Sequence, residues 1–204
     1  MIRKALPLLA VSFLAASAHA QLGVYGSLTL NNLTGQSGSP AAPIAYTSGS
    51  QSFPLTYQGV NPIGGTAGIY YDFKAFGPVH VGADVRGVIT NGKRGAETQF
   101  QGAGIHIGSV LGGARFVFRV PVIPIRAYLE PAVGFGRSDF GIQTQRVNAV
   151  EYHLFAGADL KVLPVLDWRV VELGYGGLDS FGTNSHNYPL KSVSTGLVLH
   201  LPSL

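Results

Sequence analysis

The chain has 204 residues, a formal net charge of +4 and no cysteine, a size that suits one domain and a composition that excludes any disulfide framework. Charged residues make up only 12% and glycines number 28, about half and about twice the usual shares of ~25% and ~7%. That is too little charge for the surface of an ordinary soluble domain, and beyond residue 20 only Lys93-Arg94 are adjacent basic residues, so no basic stripe points to nucleic acid.

The first segment opens Met1-Ile2-Arg3-Lys4, runs apolar from Ala5 to Ala15 and reaches Ala18-His19-Ala20 before Gln21. A charged start, a short apolar run and an A-x-A site are the pattern of a secretory signal peptide. The apolar run is too short for a transmembrane helix, which needs roughly 20 residues. We therefore expect residues 1–20 to be removed and residues 21–204 to form the mature domain. Arg3 and Lys4 leave with the signal, so the charge falls from +4 to 4 − 2 = +2. No cysteine follows the site, which argues against a lipoprotein.

Beyond Gln21 no long segment holds a helical period, whereas alternation of period two recurs. Strands are expected near 22–34, 64–75, 79–91, 101–119, 125–138, 149–162, 166–178 and 191–201. In the third, Val79, Val81, Ala83, Val85, Gly87 and Ile89 oppose His80, Gly82, Asp84, Arg86, Val88 and Thr90. In the fifth, Ile125, Ala127, Leu129, Pro131, Val133 and Phe135 oppose Arg126, Tyr128, Glu130, Ala132, Gly134 and Gly136. Two strands change phase. Ile105 and Ile107 differ in parity from Phe116 and Phe118, which predicts a bulge at Gly112-Gly113. Trp168 and Val170 differ from Val171, Leu173 and Tyr175, which predicts a second irregularity there.

The connections alternate long and short. Thr34–Ile63, Gly92–Phe100, Asp139–Asn148 and Asp179–Leu190 are long and polar, while those at 76–78, 120–124 and 163–165 are short and carry proline. The first long one is uncharged and reads as a solvated loop. This is the pattern of an all-β, up-and-down antiparallel barrel of about eight strands with both termini on one side, and transmembrane barrels show it. A soluble lipocalin-type barrel, apolar inside, is the alternative. Two features favour a transmembrane barrel. The polar face carries both signs, Asp72, Asp84, Glu130, Asp159 and Glu172 against Arg86, Arg115, Arg126 and Lys161, which can neutralise one another within a narrow lumen. The last strand, Ser194 to Leu201, runs polar-x-Gly-x-x-apolar-x-apolar.

That last pattern resembles the assembly signal of outer-membrane proteins, with Gly196, Leu199 and Leu201 in the signal positions and leucine where aromatics are usual. Together with the loop alternation, the mature chain resembles the small outer-membrane β-barrels of the OmpA/OmpX type. The resemblance implies a Gram-negative outer-membrane location, a periplasmic N-terminus, four extracellular loops and a lumen filled by side chains. It also implies outer-membrane lipids and the barrel-assembly machinery as partners, with the oligomeric state left open.

No catalytic, cofactor or metal site is expected. The histidines are scattered without metal-ligand spacing. Some small barrels of this kind modify lipid A, and their deacylase family uses a His-x-Ser pair, but His153, His186 and His200 have no serine two residues on; a triad of His186, Ser180 and Asp179 is the minor enzymatic alternative. His80, His153 and His200 are expected to hydrogen-bond in the lumen. The candidate site is a charge cluster of Asp72, Asp84, Arg86, Arg115, Arg126, Glu130 and Glu172. It suits a structural or surface-interaction protein, with a narrow pore or carrier of small apolar molecules as the alternative. N-terminal sequencing of the exported protein is expected to begin at Gln21; a chain recovered with Met1 intact would overturn the signal.

Overall fold

The structure, a computed structural model, describes residues 21–33, 46–48, 51–53, 61–92, 105–119, 123–138, 147–180 and 187–201. The expected signal peptide and most of the four long connections lie outside the described residues.

The strands are β1 (Gln21–Leu33), β2 (Tyr46–Ser48), β3 (Gln51–Phe53), β4 (Ile63–Phe76), β5 (Val79–Gly92), β6 (Ile105–Arg119), β7 (Ile125–Ser138), β8 (Val147–Leu163), β9 (Leu166–Ser180) and β10 (Asn187–Leu201). Eight of them close in the order β1-β10-β9-β8-β7-β6-β5-β4, all antiparallel to their neighbours. Closure leaves the barrel no sheet edge, so each of its eight strands finds backbone partners on both sides. The hairpin β2–β3 is a separate pair within a segment whose composition read as plain loop.

Two turns at one rim are as tight as the sequence allows. Gly77-Pro78 joins β4 to β5 and Pro164-Val165 joins β8 to β9. Gly77 has φ of 59°, a left-handed conformation that a side chain disfavours. Leu22 pairs with Leu201 at this same rim, and the long connections leave from the opposite one.

The faces sort by polarity in the sense opposite to a soluble barrel. Asp84, Arg86, Arg115, Glu130, Asp159, Arg169 and Glu172 are buried inside, whereas Leu28 is 64%, Ile89 67% and Phe135 72% exposed outside. On β7 the outward row runs Ile125, Ala127, Leu129, Pro131, Val133 and Phe135, about the 9–11 residues a tilted transmembrane strand needs. Toward the long-loop rim each outward row ends in a polar residue: Asn32, Asn61, Asn91, His106, Arg137, Asn148, Asp179 and Lys191. Exposed aromatics edge this belt, with Phe135, Tyr152 and Tyr175 above and Phe76, Phe118 and Trp168 below. Tyr25 of β1 is instead buried inside.

The bulge expected at Gly112-Gly113 is absent. β6 pairs with β5 without a register shift from Val79↔Phe118 to Gly92↔Ile105, and Ile107, Leu111, Arg115 and Val117 all point inward. The change of parity records a change of interior rather than of backbone, because toward the long-loop rim the inside itself becomes apolar. The irregularity expected in the seventh strand is present. Val170 and Val171 both face outward, and β9 shifts register against β8 and β10 at that point. One extra residue in one strand is a β-bulge. Thr195 lies opposite it, donating to the Arg169 carbonyl at 3.0 Å and accepting from the Trp168 indole at 3.3 Å.

Deleting Val170 would turn Arg169 and Asp167 outward. The deletion variant is expected not to fold, while Val170→Ala folds with a loss of about 1 kcal/mol. The folded fraction, read as the faster-migrating band of unheated samples in detergent gels, checks both.

Candidate functional site: the charged interior

Inward positions of the eight barrel strands stack as layers along the barrel axis. At the long-loop rim Leu33, Ile107, Ala149, Leu178 and Leu190 form an apolar cap with Tyr188 packed against it. Below it the Ser109 hydroxyl donates to Glu151, and the other Glu151 oxygen is 3.1 Å from His153 Nδ1. His153 stacks on Phe155 with ring centroids 4.8 Å apart. Thr29 bonds Thr66 and Ser194 on the two adjoining strands, and the Asn31 amide donates to Thr90. Short hydroxyl side chains fit here because opposite strands leave little room in an eight-stranded barrel.

The next layer is a network of three arginines and four carboxylates. Arg86 of β5 donates to Glu130 of β7 at 2.6 Å, to Glu172 of β9 at 3.0 Å and to Asp84 of its own strand at 3.1 Å. Arg169 donates to Asp159 at 3.0 Å and to Glu172 at 3.2 Å. Arg115 donates to the other Asp159 oxygen at 2.9 Å, with Nη1 3.7 Å from Glu130. Tyr25 donates to Asp84 and Tyr128 to Glu172. The guanidiniums lie over aromatic rings, Arg86 on Phe155 at 4.0 Å, Arg115 on Tyr128 at 3.9 Å and Arg169 on Tyr25 at 4.2 Å. Planar, weakly hydrated guanidinium suits this double use of its edge for carboxylates and its face for rings. An unpaired charge in this layer would cost several kcal/mol in lost solvation.

At the short-turn rim two smaller groups complete the stack. Arg119 donates to Asp72 at 3.0 Å and to Gln21 at 2.6 Å. Asp167 receives Arg126 at 3.1 Å and His200 at 2.7 Å, and His200 Nδ1 meets the Tyr70 hydroxyl at 3.2 Å.

Of the seven residues expected in one cluster, Asp84, Arg86, Arg115, Glu130 and Glu172 meet in the central layer. Asp72 and Arg126 do not reach it; they stand in the two separate groups at the short-turn rim. Parity assigns a side chain to a face but not to a height along the axis. Lys161, read on the polar face, is exposed beside the β8–β9 turn. Arg169 is not among those seven, although the run Arg169 to Tyr175 reads as an Arg–Glu ion pair inside the barrel, and that pair is present with Glu172 at 3.2 Å; Arg169 shares the parity of outward Val171 and Leu173, and the bulge brings it inside. Arg119 and Glu151 share parity with Arg115 and Asp159 and were legible on that ground.

Gly196 faces inward, where an added Cβ would stand 2.2 Å from the Gly26 carbonyl oxygen. Leu199 and Leu201 face outward. Of the alternative triad, Asp179 is exposed, and the side chains of Ser180 and His186 lie outside the described residues. Among the described residues, no three acidic or histidine side chains form a metal-binding group.

No family model and no curated protein matches the chain. Among solved structures it is similar to the crystal structure of Neisserial surface protein A, with a TM-score of 0.54 and 12% identity over 89% of this chain and 98% of that one. Looser likenesses are to Ail, the attachment invasion locus protein of Yersinia pestis, at 0.47 and 14% over 89% and 97% of the two chains. The outer membrane protein OprG from Pseudomonas aeruginosa follows at 0.45 and 9% over 89% and 96%. What is shared is the fold, an eight-stranded antiparallel barrel.

Removing one carboxylate leaves a guanidinium buried with fewer partners. Glu130→Ala and Glu172→Ala are each expected to lose about 3–5 kcal/mol, read from urea unfolding of the folded barrel. An unchanged midpoint in both would show that the layer does not hold the fold.

Proposed function

We propose that this protein is an integral outer-membrane β-barrel with a structural or surface-interaction role, its interior closed by side chains and its long connections presented outside the cell. The observation that carries the reading is the inversion of faces: an uncharged apolar belt surrounds the barrel while the charges lie within. In water such a belt would be an exposed apolar patch far larger than monomeric soluble proteins tolerate. In hydrocarbon the belt is solvated by lipid tails, and closure satisfies every strand's backbone groups.

The closed interior is supported by the layers themselves. Three guanidiniums reach across from β5, β6 and β9, and the apolar cap lies over them. The space between the hydroxyl layer and Arg86, bounded by Glu151 and Glu172, is about 10 Å³, room for about one water. A space of that size is too small for a hydrated ion. Neisserial surface protein A shares the fold. The signal peptide at residues 1–20 and the terminal strand with Gly196, Leu199 and Leu201 supply the export and assembly steps this location requires.

Arginine at mid-belt tests the location. Leu129→Arg and Leu197→Arg are each expected to destabilise the barrel in phospholipid vesicles by about 2–4 kcal/mol; unchanged stability in both would place the belt outside lipid. Planar-bilayer recordings of the wild type are expected to show no steady large current. Sustained conductance would move the reading to a pore.

A further inference from the structure

Among the described arginines, Arg86, Arg115, Arg119, Arg126 and Arg169 all point inward to carboxylates. Arg137 of β7 is the exception. It is exposed on the outward face, and no carboxylate pairs with it among the described residues. It stands two residues above Phe135, at the level where the outward rows turn from apolar to polar.

Its surroundings are shaped as well as charged. The registers place Ile89, Gly108, Arg137 and Asn148 side by side on β5, β6, β7 and β8. Gly108 contributes no side chain, and a Cβ added there would meet nothing within 4 Å. A gap one side chain wide therefore opens in the row between Ile89 and Arg137. Downward it runs into a recess of about 410 Å³ lined by Val110 and Phe135, with Arg137 and Asn148 above. Above the gap on the same strand, His106 is hydrogen-bonded to Asn91, and both line the adjoining recess with Ile89 and Arg137.

Resting on the membrane reading above, we propose that this notch binds a phosphorylated lipid of the leaflet on the long-loop side. Its phosphate would lie on Arg137, between the Asn148 and His106 side chains. One acyl chain would descend through the gap at Gly108 onto Val110 and Phe135. A guanidinium matches phosphate with two parallel N–H donors, whereas a lone exposed arginine facing only water gains little from any anion. The apolar groove directly beneath supplies the rest and selects an amphiphile over a free ion. A second copy of the chain fits poorly, because a two-fold contact sets a patch against itself and would bring Arg137 close to Arg137.

The probe is diphosphoryl lipid A, added to the folded full chain in zwitterionic detergent and followed by native mass spectrometry, with the dephosphorylated lipid and inorganic phosphate as comparisons. Wild type is expected to bind the diphosphoryl form about tenfold more tightly than Arg137→Gln does, the equivalent of one charge-assisted hydrogen-bonded contact. Gly108→Leu keeps the charge but fills the gap, and a similar loss is expected. Both positions are on the exposed face, so the folded band of each variant in unheated gels confirms a fair comparison. Equal binding by wild type and both variants would overturn the site. So would displacement of the lipid by millimolar inorganic phosphate, or a loss confined to Arg137→Gln, since either leaves only surface charge. A dimer that forms in wild type and vanishes in Arg137→Gln would assign the notch to a second copy instead. Insertion into phosphatidylcholine vesicles is measured separately: a chain that does not insert overturns the membrane reading, while one that inserts but ignores lipid A phosphate overturns the notch alone.

Discussion

Three guanidiniums at the centre of a barrel only eight strands around have to be neutralised where they stand, because no water can follow them in number. Arg86, Arg115 and Arg169 are each essentially inaccessible. In so poor a dielectric an unpaired charge is prohibitive, and a pair is tolerable only with good geometry and with its other hydrogen-bonding sites filled. The carboxylates of Asp84, Glu130, Asp159 and Glu172, two tyrosine hydroxyls and a stack of aromatic faces meet most of that demand, leaving Arg115 Nε and Arg169 Nη2 among the buried atoms without a hydrogen-bond partner. Because these groups come from β1, β5, β6, β7, β8 and β9, the network also selects the register. Slipping β5, β6, β7, β8 or β9 by one residue would carry a charge to the apolar outside and leave its partner alone within.

The bulge in β9 belongs to the same constraint. Arg169 and Glu172 are three residues apart, a spacing that regular pleating would place on opposite faces. Val170 and Val171 both turn outward, so both charged side chains enter the interior, where they meet at 3.2 Å. Thr195 on the neighbouring strand accommodates the widened backbone. A local defect in one ladder thus brings the third guanidinium to the four carboxylates of the layer, and the added valine lies on the apolar belt.

Above and below the network the interior changes character in steps, from ion pairs to hydroxyls to an apolar cap at one end, and to paired rim charges at the other. On the reading proposed here, the interior serves to hold the wall together rather than to pass solutes. Interaction then falls to what the wall presents: the long connections, and the polar rim where Arg137 looks outward over a gap left by Gly108. The same rule that hides five of the six described arginines among carboxylates makes Arg137 informative, since a cation on the outer wall needs its partner from the surroundings.

Much of this was legible in the residues alone. The period of two, the poverty of charge, the two signs on one face and the alternation of long and short connections depend only on local pleating and on the cost of putting charge in hydrocarbon. They sufficed for the strand count and the closed antiparallel order, and they placed Asp84, Arg86, Glu130 and their neighbours on one face. Parity carries no information about height, so Asp72 and Arg126 could not be told apart from the central layer until closure and strand tilt had set each residue's level. Nor can alternation tell a bulge from a change of interior. The phase change at Val170-Val171 proved to be backbone, while that between Ile107 and Phe116 proved to be an apolar cap over a polar centre. Arg169 entered the network only through that bulge, because which residues share a layer is decided by how eight strands meet, not by any one of them.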